Sequence, residues 1–223
     1  MIDYNERILI LDTETTNSLD DPICYDIGYS VFDLAGKIYE EVSFVNADIF
    51  LDKEFMANAF YADKIPQYWM DIWTKRRQLL PWKDIKWKIW ETCLQNNCKI
   101  VTAHNARFDY RSVHLTQRYI TTSKYRFFLP WGCEWWDTLK MCREIFKADP
   151  NYKPWCMKHG FMTANNQPQL TAEVVYRYIT GNENFEEAHT GLEDVRIERD
   201  IFLYCMLQNP DLDGRLWPPK ETA

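Results

Sequence analysis

Ile8-Leu9-Ile10-Leu11-Asp12-Thr13-Glu14 is an unbroken apolar run closed by two carboxylates one residue apart. Four branched apolar residues in succession suit a strand buried on both faces, in the middle of a sheet with helices on each side. Residues i and i+2 of a strand point the same way, so Asp12 and Glu14 emerge side by side at its C-terminal end. Two anions held that close repel, and burial raises the cost of keeping both ionised unless a cation lies between them. The cation that suits carboxylate oxygen is a hard divalent metal such as Mg²⁺ or Mn²⁺. Taken alone, the run is equally well read as a strand ending in two solvated acids.

Two later stretches shift that balance. Ala103-His104-Asn105-Ala106-Arg107-Phe108-Asp109 follows Lys99-Ile100-Val101-Thr102, a second strand. Asn105 is suited to cap a helix running on through Val113, Leu115 and Tyr119, with Asp109 in its first turn, where the helix dipole favours an acid. His189-Thr190-Gly191-Leu192-Glu193-Asp194 opens a segment with apolar residues at Val195, Ile197, Ile201, Phe202, Cys205 and Met206. Thr190 and Glu193 match a capping box, which puts His189 on the approaching loop and Asp194 in the first turn. Five residues within one helix would swing the pair about 140 degrees apart at 3.6 residues per turn. With His189 outside the helix, imidazole and carboxylate can converge.

Asp-x-Glu at 12 and 14, Asn-x-x-x-Asp at 105 to 109 and His-x-x-x-x-Asp at 189 to 194, in that order, resemble the three exonuclease motifs of the DEDDh family. This group of 3′-to-5′ exonucleases includes the DnaQ-like proofreading subunits, ribonuclease T and oligoribonuclease. The resemblance runs from about residue 7 to about residue 205, and three ordered motifs are far more specific than one. It implies an α/β, ribonuclease H-like fold with a mixed central β-sheet flanked by helices. It also implies two divalent ions, Mg²⁺ or Mn²⁺. Asp12, Glu14 and Asp194 would hold one; Asp12 would bridge to the second, which Asp109 anchors partly through water. Two such ions roughly 4 Å apart clamp a scissile phosphate. His189 takes the role of general base, suited by an ordinary pKa near 6.5, where a sister family carries Tyr. Thr15 and Thr16 resemble positions that contact the terminal nucleotide, and Asn105 and Phe108 complete the expected substrate-binding set, Phe108 either as a wedge or as packing. His104 reads as structural.

The resemblance implies hydrolysis at the 3′ end of single-stranded nucleic acid with release of nucleoside 5′-monophosphates. The compact form is similar to bacteriophage-encoded members, which favours DNA over RNA; an RNA-trimming exoribonuclease is the alternative within the class. The alternative of another class is a catalytically inactive nucleic-acid-binding module. A polymerase or replication partner in trans is compatible with either.

Composition narrows less. With 223 residues, 46% of them apolar, one exonuclease domain over 1–223 is the simplest expectation. Lys and Arg total 26 against 33 Asp and Glu, and a net charge of −7 argues against extensive duplex binding. It does not argue against an enzyme gripping a few nucleotides. Seven cysteines without a pairing pattern, and a start lacking a basic region and an apolar core, lead to the expectation of reduced thiols and a cytoplasmic protein. Cys156-Met157-Lys158-His159, with Cys133 and Cys142 upstream, is too irregular for zinc. No apolar stretch has the length of a membrane span. Oligomeric state stays open.

Tyr25 to Leu34 and Lys37 to Val45 read as a hairpin turning at Ala35-Gly36. A helical region from about 67 to 97, broken near Pro81, follows, and further helices are expected near 170–180 and 190–207. Asp137, in Trp135-Trp136-Asp137-Thr138-Leu139, reads as a helix cap, and 218–223 as a loose tail. The aromatic-rich segment at about 47–97 is the least family-like. Within it Lys75, Arg76, Arg77, Lys83, Lys86 and Lys88 face only Asp84, a local +5. Trp82, Trp87 and Trp90 could stack bases beside these cations, but helical spacing favours Trp87, Trp90 and Leu94 as core.

Overall fold

The computed structural model describes residues 2, 5–123 and 127–217, and the expected tail at 218–223 lies outside them. β1 (Ile8–Ser18) pairs antiparallel with β2 (Asp21–Phe32), and β2 pairs antiparallel with β3 (Ile38–Asn46). A short β4 (Gln78–Leu80) adds parallel to β3. On the other side β5 (Ile100–Ala103) and β6 (Glu134–Asp137) continue the sheet in parallel, giving the order β4-β3-β2-β1-β5-β6. The helices are α1 (Ala47–Phe50), α2 (Lys53–Met56), α3 (Ile65–Trp73), α4 (Trp82–Asn96), α5 (Arg107–Ile120), α6 (Thr138–Ala148), α7 (Tyr152–His159), α8 (Ala172–Thr180) and α9 (Gly191–Gln208). The expected mixed α/β sheet with flanking helices is what forms.

Ile8, Leu9, Ile10 and Leu11 are all fully buried because β1 is central and covered on both faces. Alternation divides them. Ile8 and Ile10 pack with Trp136, Val195, Ile201 and Phe202, under α9. Leu9 and Leu11 pack with Trp82, Ile85, Ile89 and Val113, under α4 and α5. The hairpin between β2 and β3 turns where the sequence indicates: Asp33 accepts from the backbone N–H of Ala35 at 2.9 Å and of Lys37 at 3.0 Å, and Gly36 takes φ +79°.

The segment between β3 and β5 departs from its reading in three ways. Gln78-Leu79-Leu80, too short to show a period, forms β4, and Pro81 caps α4 rather than breaking a longer helix. The buried stripe of α4 is Trp82, Ile85, Ile89 and Cys93, while Trp87 is 60% and Leu94 68% exposed. Trp82 starts the stripe, and residue 87, five positions on, falls about 140 degrees away from it. The expectation of Trp87, Trp90 and Leu94 as core is thus corrected; Trp90 is half-buried. Arg77 is not a surface cation: its side chain is 2% exposed and pairs with Asp26, Asp71 and Glu193.

Asn105 does not cap α5. It takes φ +63°, a conformation Asn tolerates, Ala106 occupies the cap position, and the Asn105 carbonyl accepts from Phe108 N–H at 2.8 Å. Asp137 is a cap, accepting from Leu139 N–H at 3.0 Å, and it also accepts from Asn105 N–H at 3.0 Å, which ties the β5–α5 turn to β6.

The start of α9 lies directly on β2. A Cβ built on Gly28 would come within 2.3 Å of the Leu192 backbone nitrogen, and one on Gly191 within 2.7 Å of the Gly28 nitrogen. Only paired glycines permit that crossing. Gly28→Ala should therefore lower unfolding free energy by about 3 kcal/mol in urea denaturation, whereas Trp87→Ala should stay within roughly 0.5 kcal/mol of the parent. Equal losses from the two would contradict this packing.

Candidate metal and catalytic site

Gly28 is the partner of Asp12 across the β1–β2 ladder, so the Gly28–Gly191 crossing brings the first turn of α9 to the level of the carboxylates. The register slips between Glu14 and Thr15, leaving Tyr25 of β2 unpaired. Asp12, Glu14 and Asp194 each offer a carboxylate oxygen, and these oxygens lie within 4.8 Å of one another. Asp194 is oriented by backbone: it accepts from Thr190 N–H at 2.9 Å and from the His189 N–H. The capping box is rewired as a result. Thr190 Oγ1 donates to Glu193 Oε2 at 2.7 Å, and Arg77 holds the same oxygen at 2.7 Å, so Glu193 is turned away from the Thr190 N–H.

Asp109 is not part of that trio. It reaches β1 from the opposite face, accepting from Thr13 N–H at 3.1 Å and Thr13 Oγ1 at 2.9 Å. It is still near enough for its charge to raise the Asp12 pKa. Glu198, one turn after Asp194 on α9, is a further buried acid beside the site and accepts from His104 N–H at 3.2 Å. The sequence did carry a signal for it: a glutamate set into the apolar stripe of Val195, Ile197, Ile201 and Phe202.

Burial is the largest cause of perturbed acidity throughout. It holds Asp12 and Glu14 well above the usual carboxylate range, with repulsion from neighbouring acids adding to it. Asp109 is pushed up to about 7 by burial, against the lowering effect of its Thr13 bonds. Asp194 is pushed up to about 8 by burial and then by Glu187. Glu198 also lies well above its ordinary value. A convergent, all-oxygen, anionic donor set of this kind fits a hard divalent ion.

The His189 ring has other neighbours. At φ +53° it stacks on Tyr61, with centroids 4.5 Å apart and planes 7° from parallel, and its Nδ1 is 4.0 Å from Glu187 Oε2. With Glu173 and Glu187 it forms a second group of potential ligands within 4.8 Å. Burial lowers its pKa. Tyr61 reaches this place because its segment is clipped to the end of β1: Phe60 N–H donates to the Thr15 carbonyl at 3.2 Å, Ala59 bridges Thr16, and Thr16 Oγ1 donates to the Phe55 carbonyl. Thr15 and Thr16 are both buried, so the Thr16 hydroxyl is spent on this clip. Nothing in the spacing of Tyr61, Glu173 or Glu187 marks them in the sequence.

Phe108 is half-buried and Asn105 exposed at the start of α5. His104 is structural: Nε2 donates to the Leu170 carbonyl at 2.7 Å, and Nδ1 lies 2.9 Å from Thr138 Oγ1. The seven cysteines are free thiols, and no helix among the described residues is long and apolar enough to cross a membrane. Beside Asn105, Glu187 and Glu198 opens a cavity of about 920 Å³.

No protein-family model and no curated protein matches the sequence. Solved structures do match in fold. Exonuclease I from Methylocaldum szegediense is 17% identical with a TM-score of 0.56, and E. coli Exonuclease I in complex with a dA16 oligonucleotide is 14% identical with a TM-score of 0.57. A zinc-bound E. coli ExoI–ssDNA complex is 15% identical with a TM-score of 0.55. Each match takes in 92% of this chain and 41% of the other, so the chain spans about two fifths of their length. The architecture is thereby the ribonuclease H-like fold.

The raised acidities set a pH dependence. Asp109 and Asp194 titrate near 3.9 when unfolded but near 7 and 8 in the fold. The folded chain thus binds more protons between those limits, and stability falls as pH rises. In EDTA, Tm should drop by about 5 °C or more from pH 5 to pH 8, and millimolar Mg²⁺ at pH 8 should restore much of the loss. A flat profile in EDTA would contradict the raised acidities of Asp109 and Asp194.

Proposed function

We propose that this protein is a metal-dependent 3′-to-5′ exonuclease, a single catalytic domain that shortens single-stranded DNA and releases nucleoside 5′-monophosphates. The observation that carries the reading is the convergence of Asp12, Glu14 and Asp194, drawn from opposite ends of the chain to within 4.8 Å. Burying acids together is costly unless they hold cations. Support comes from fold-mates solved with dA16 and with single-stranded DNA, and the fold alone would not decide it.

Asp12, Glu14 and Asp194 would hold one divalent ion, and Asp12 with Asp109 a second. Bound there, such ions supply positive charge to the scissile phosphate and to the attacking and leaving oxygens. His189 accepts the proton of the attacking water. Burial lowers its pKa, which keeps it neutral, and so able to accept, at pH 7. Its Nδ1 side faces Glu187, which leaves Nε2 as the accepting atom, and the Tyr61 stack holds the ring plane. The clip from Thr15 and Thr16 to Phe55–Tyr61 closes one side of the site, and the terminal nucleotide ends there, against Phe108 and with Asn105 at the rim.

The test uses 3′-labelled and 5′-labelled single-stranded DNA and RNA oligonucleotides with Mg²⁺, Mn²⁺ or EDTA. Expected are stepwise, metal-dependent release of 3′ mononucleotides and faster loss of DNA than RNA. Asp12→Ala should abolish turnover, and His189→Ala should lower it by roughly a hundredfold while sparing metal binding. Internal cuts, or binding without cleavage in any metal, would refute the exonuclease.

A further inference from the structure

The large cavity beside the carboxylates has a charge pattern that the site chemistry does not use. It is lined by His104, Asn105, Glu187 and Glu198, and also by Arg143, Lys147 and Lys153. Arg143 and Lys147 are one turn apart on α6, about 6 Å along its axis, and Lys153 lies in the first turn of α7. All three are exposed, and none makes an ion pair among the described residues. The acid among them, Asp149, is partly spent, accepting from Tyr178 Oη at 2.7 Å and from Asn151 N–H at 2.8 Å. Leu139, Phe146 and Leu170 give the cavity an apolar floor. In a chain of net charge −7, three cations without ion pairs among the described residues, on an apolar-lined cavity that Glu198 borders beside the acidic site, are complementary to a polyanion with apolar bases.

At the end of β1, beside the carboxylates, the Thr15–Phe60 clip and Tyr61 stacked on His189 form a wall, and Glu187, 4.0 Å from His189 Nδ1, joins that wall to the cavity lining. A strand whose 3′ end stops against that wall has the adjoining cavity as a path for its upstream part. We propose that the α6–α7 groove is the track for the upstream part of the substrate strand, with Arg143, Lys147 and Lys153 contacting successive backbone phosphates 5′ of the cleaved bond. This rests on the exonuclease reading for its direction. The groove itself is defined by geometry and charge, independent of catalysis.

The groove is tested by binding. Anisotropy of 5′-fluorescein-labelled dT3 and dT12 is followed from 50 to 300 mM NaCl for the unaltered chain, the triple variant Arg143→Ala/Lys147→Ala/Lys153→Ala, and Lys158→Ala, a nearby exposed cation outside the groove. The triple variant should bind dT12 roughly tenfold or more weakly, and its slope of log affinity against log salt should be shallower by about 2, near 0.7 for each lost phosphate contact. Affinity for dT3 should change little, and Lys158→Ala should remain within about twofold on both probes. In turnover, KM for dT12 should rise with kcat unchanged.

Triple-variant affinity and salt slope equal to those of the unaltered chain would overturn the track, as would an equal loss on dT3 and dT12. Length-dependent binding through the groove without hydrolysis by the unaltered chain would retain the track and remove the exonuclease reading. Hydrolysis whose length dependence survives in the triple variant would do the reverse. Because the three side chains are exposed, an unchanged Tm verifies that the variant folds.

Discussion

The fully buried Asp26 carboxylate joins three parts of the chain beneath the site. It accepts from Arg77 at 3.1 Å, from Tyr68 Oη at 2.7 Å and from Gly191 N–H at 3.0 Å. Arg77 extends the link to Asp71 at 3.1 Å, Ser43 at 2.7 Å and Glu193 at 2.7 Å. Burial raises the Asp26 pKa and Arg77 opposes the rise, so the acid depends on its partner to stay charged. Removing one member of a buried pair leaves the other uncompensated, at a cost of roughly 3–5 kcal/mol. Here that cost would fall on the approach of α9 to β2, and with it on the placement of Asp194. The glycine crossing permits the approach, and the ion pair holds it.

That arrangement separates support from chemistry. Asp12 and Glu14 stand on a strand packed on both faces, Asp194 is aimed by two backbone N–H groups, and Asp109 is fixed by Thr13. The acids need no mutual attraction to stay in place, which suits a site whose members repel until cations arrive. The same network brings the 47–77 segment into the site. Tyr68 and Arg77 anchor it below, and the Thr15–Phe60 bond anchors it above, leaving Tyr61 over His189.

Where sequence alone succeeded, a strong local pattern met no competing partner. The 8–14 run formed the two-faced strand that its apolar pattern suits, and Asp137 capped as read. It failed where tertiary partners decided. Arg77 looked like one cation of a basic patch because nothing local shows that Asp26, fifty-one residues earlier, would claim it. Glu193 fitted a capping box until Arg77 competed for it, and Asn105 used its tolerance of positive φ to turn the chain instead of capping. The convergence of Asp12, Glu14 and Asp194 was legible from two of the three spaced motifs. The His189 ring direction was not, since it depends on Tyr61 and Glu187, residues in segments without periodicity.

The most direct test of the central claim, that these buried acids form a divalent-cation site, is calorimetric titration of Mn²⁺ into the protein at pH 8 in two buffers of different ionisation heat. The account predicts saturable binding of two ions with release of protons, because acids as weak as Asp194, near 8, must deprotonate to bind. It also predicts that Asp194→Asn loses at least one ion. Absence of binding below millimolar Mn²⁺, or binding without proton release and unchanged by Asp194→Asn, would contradict it.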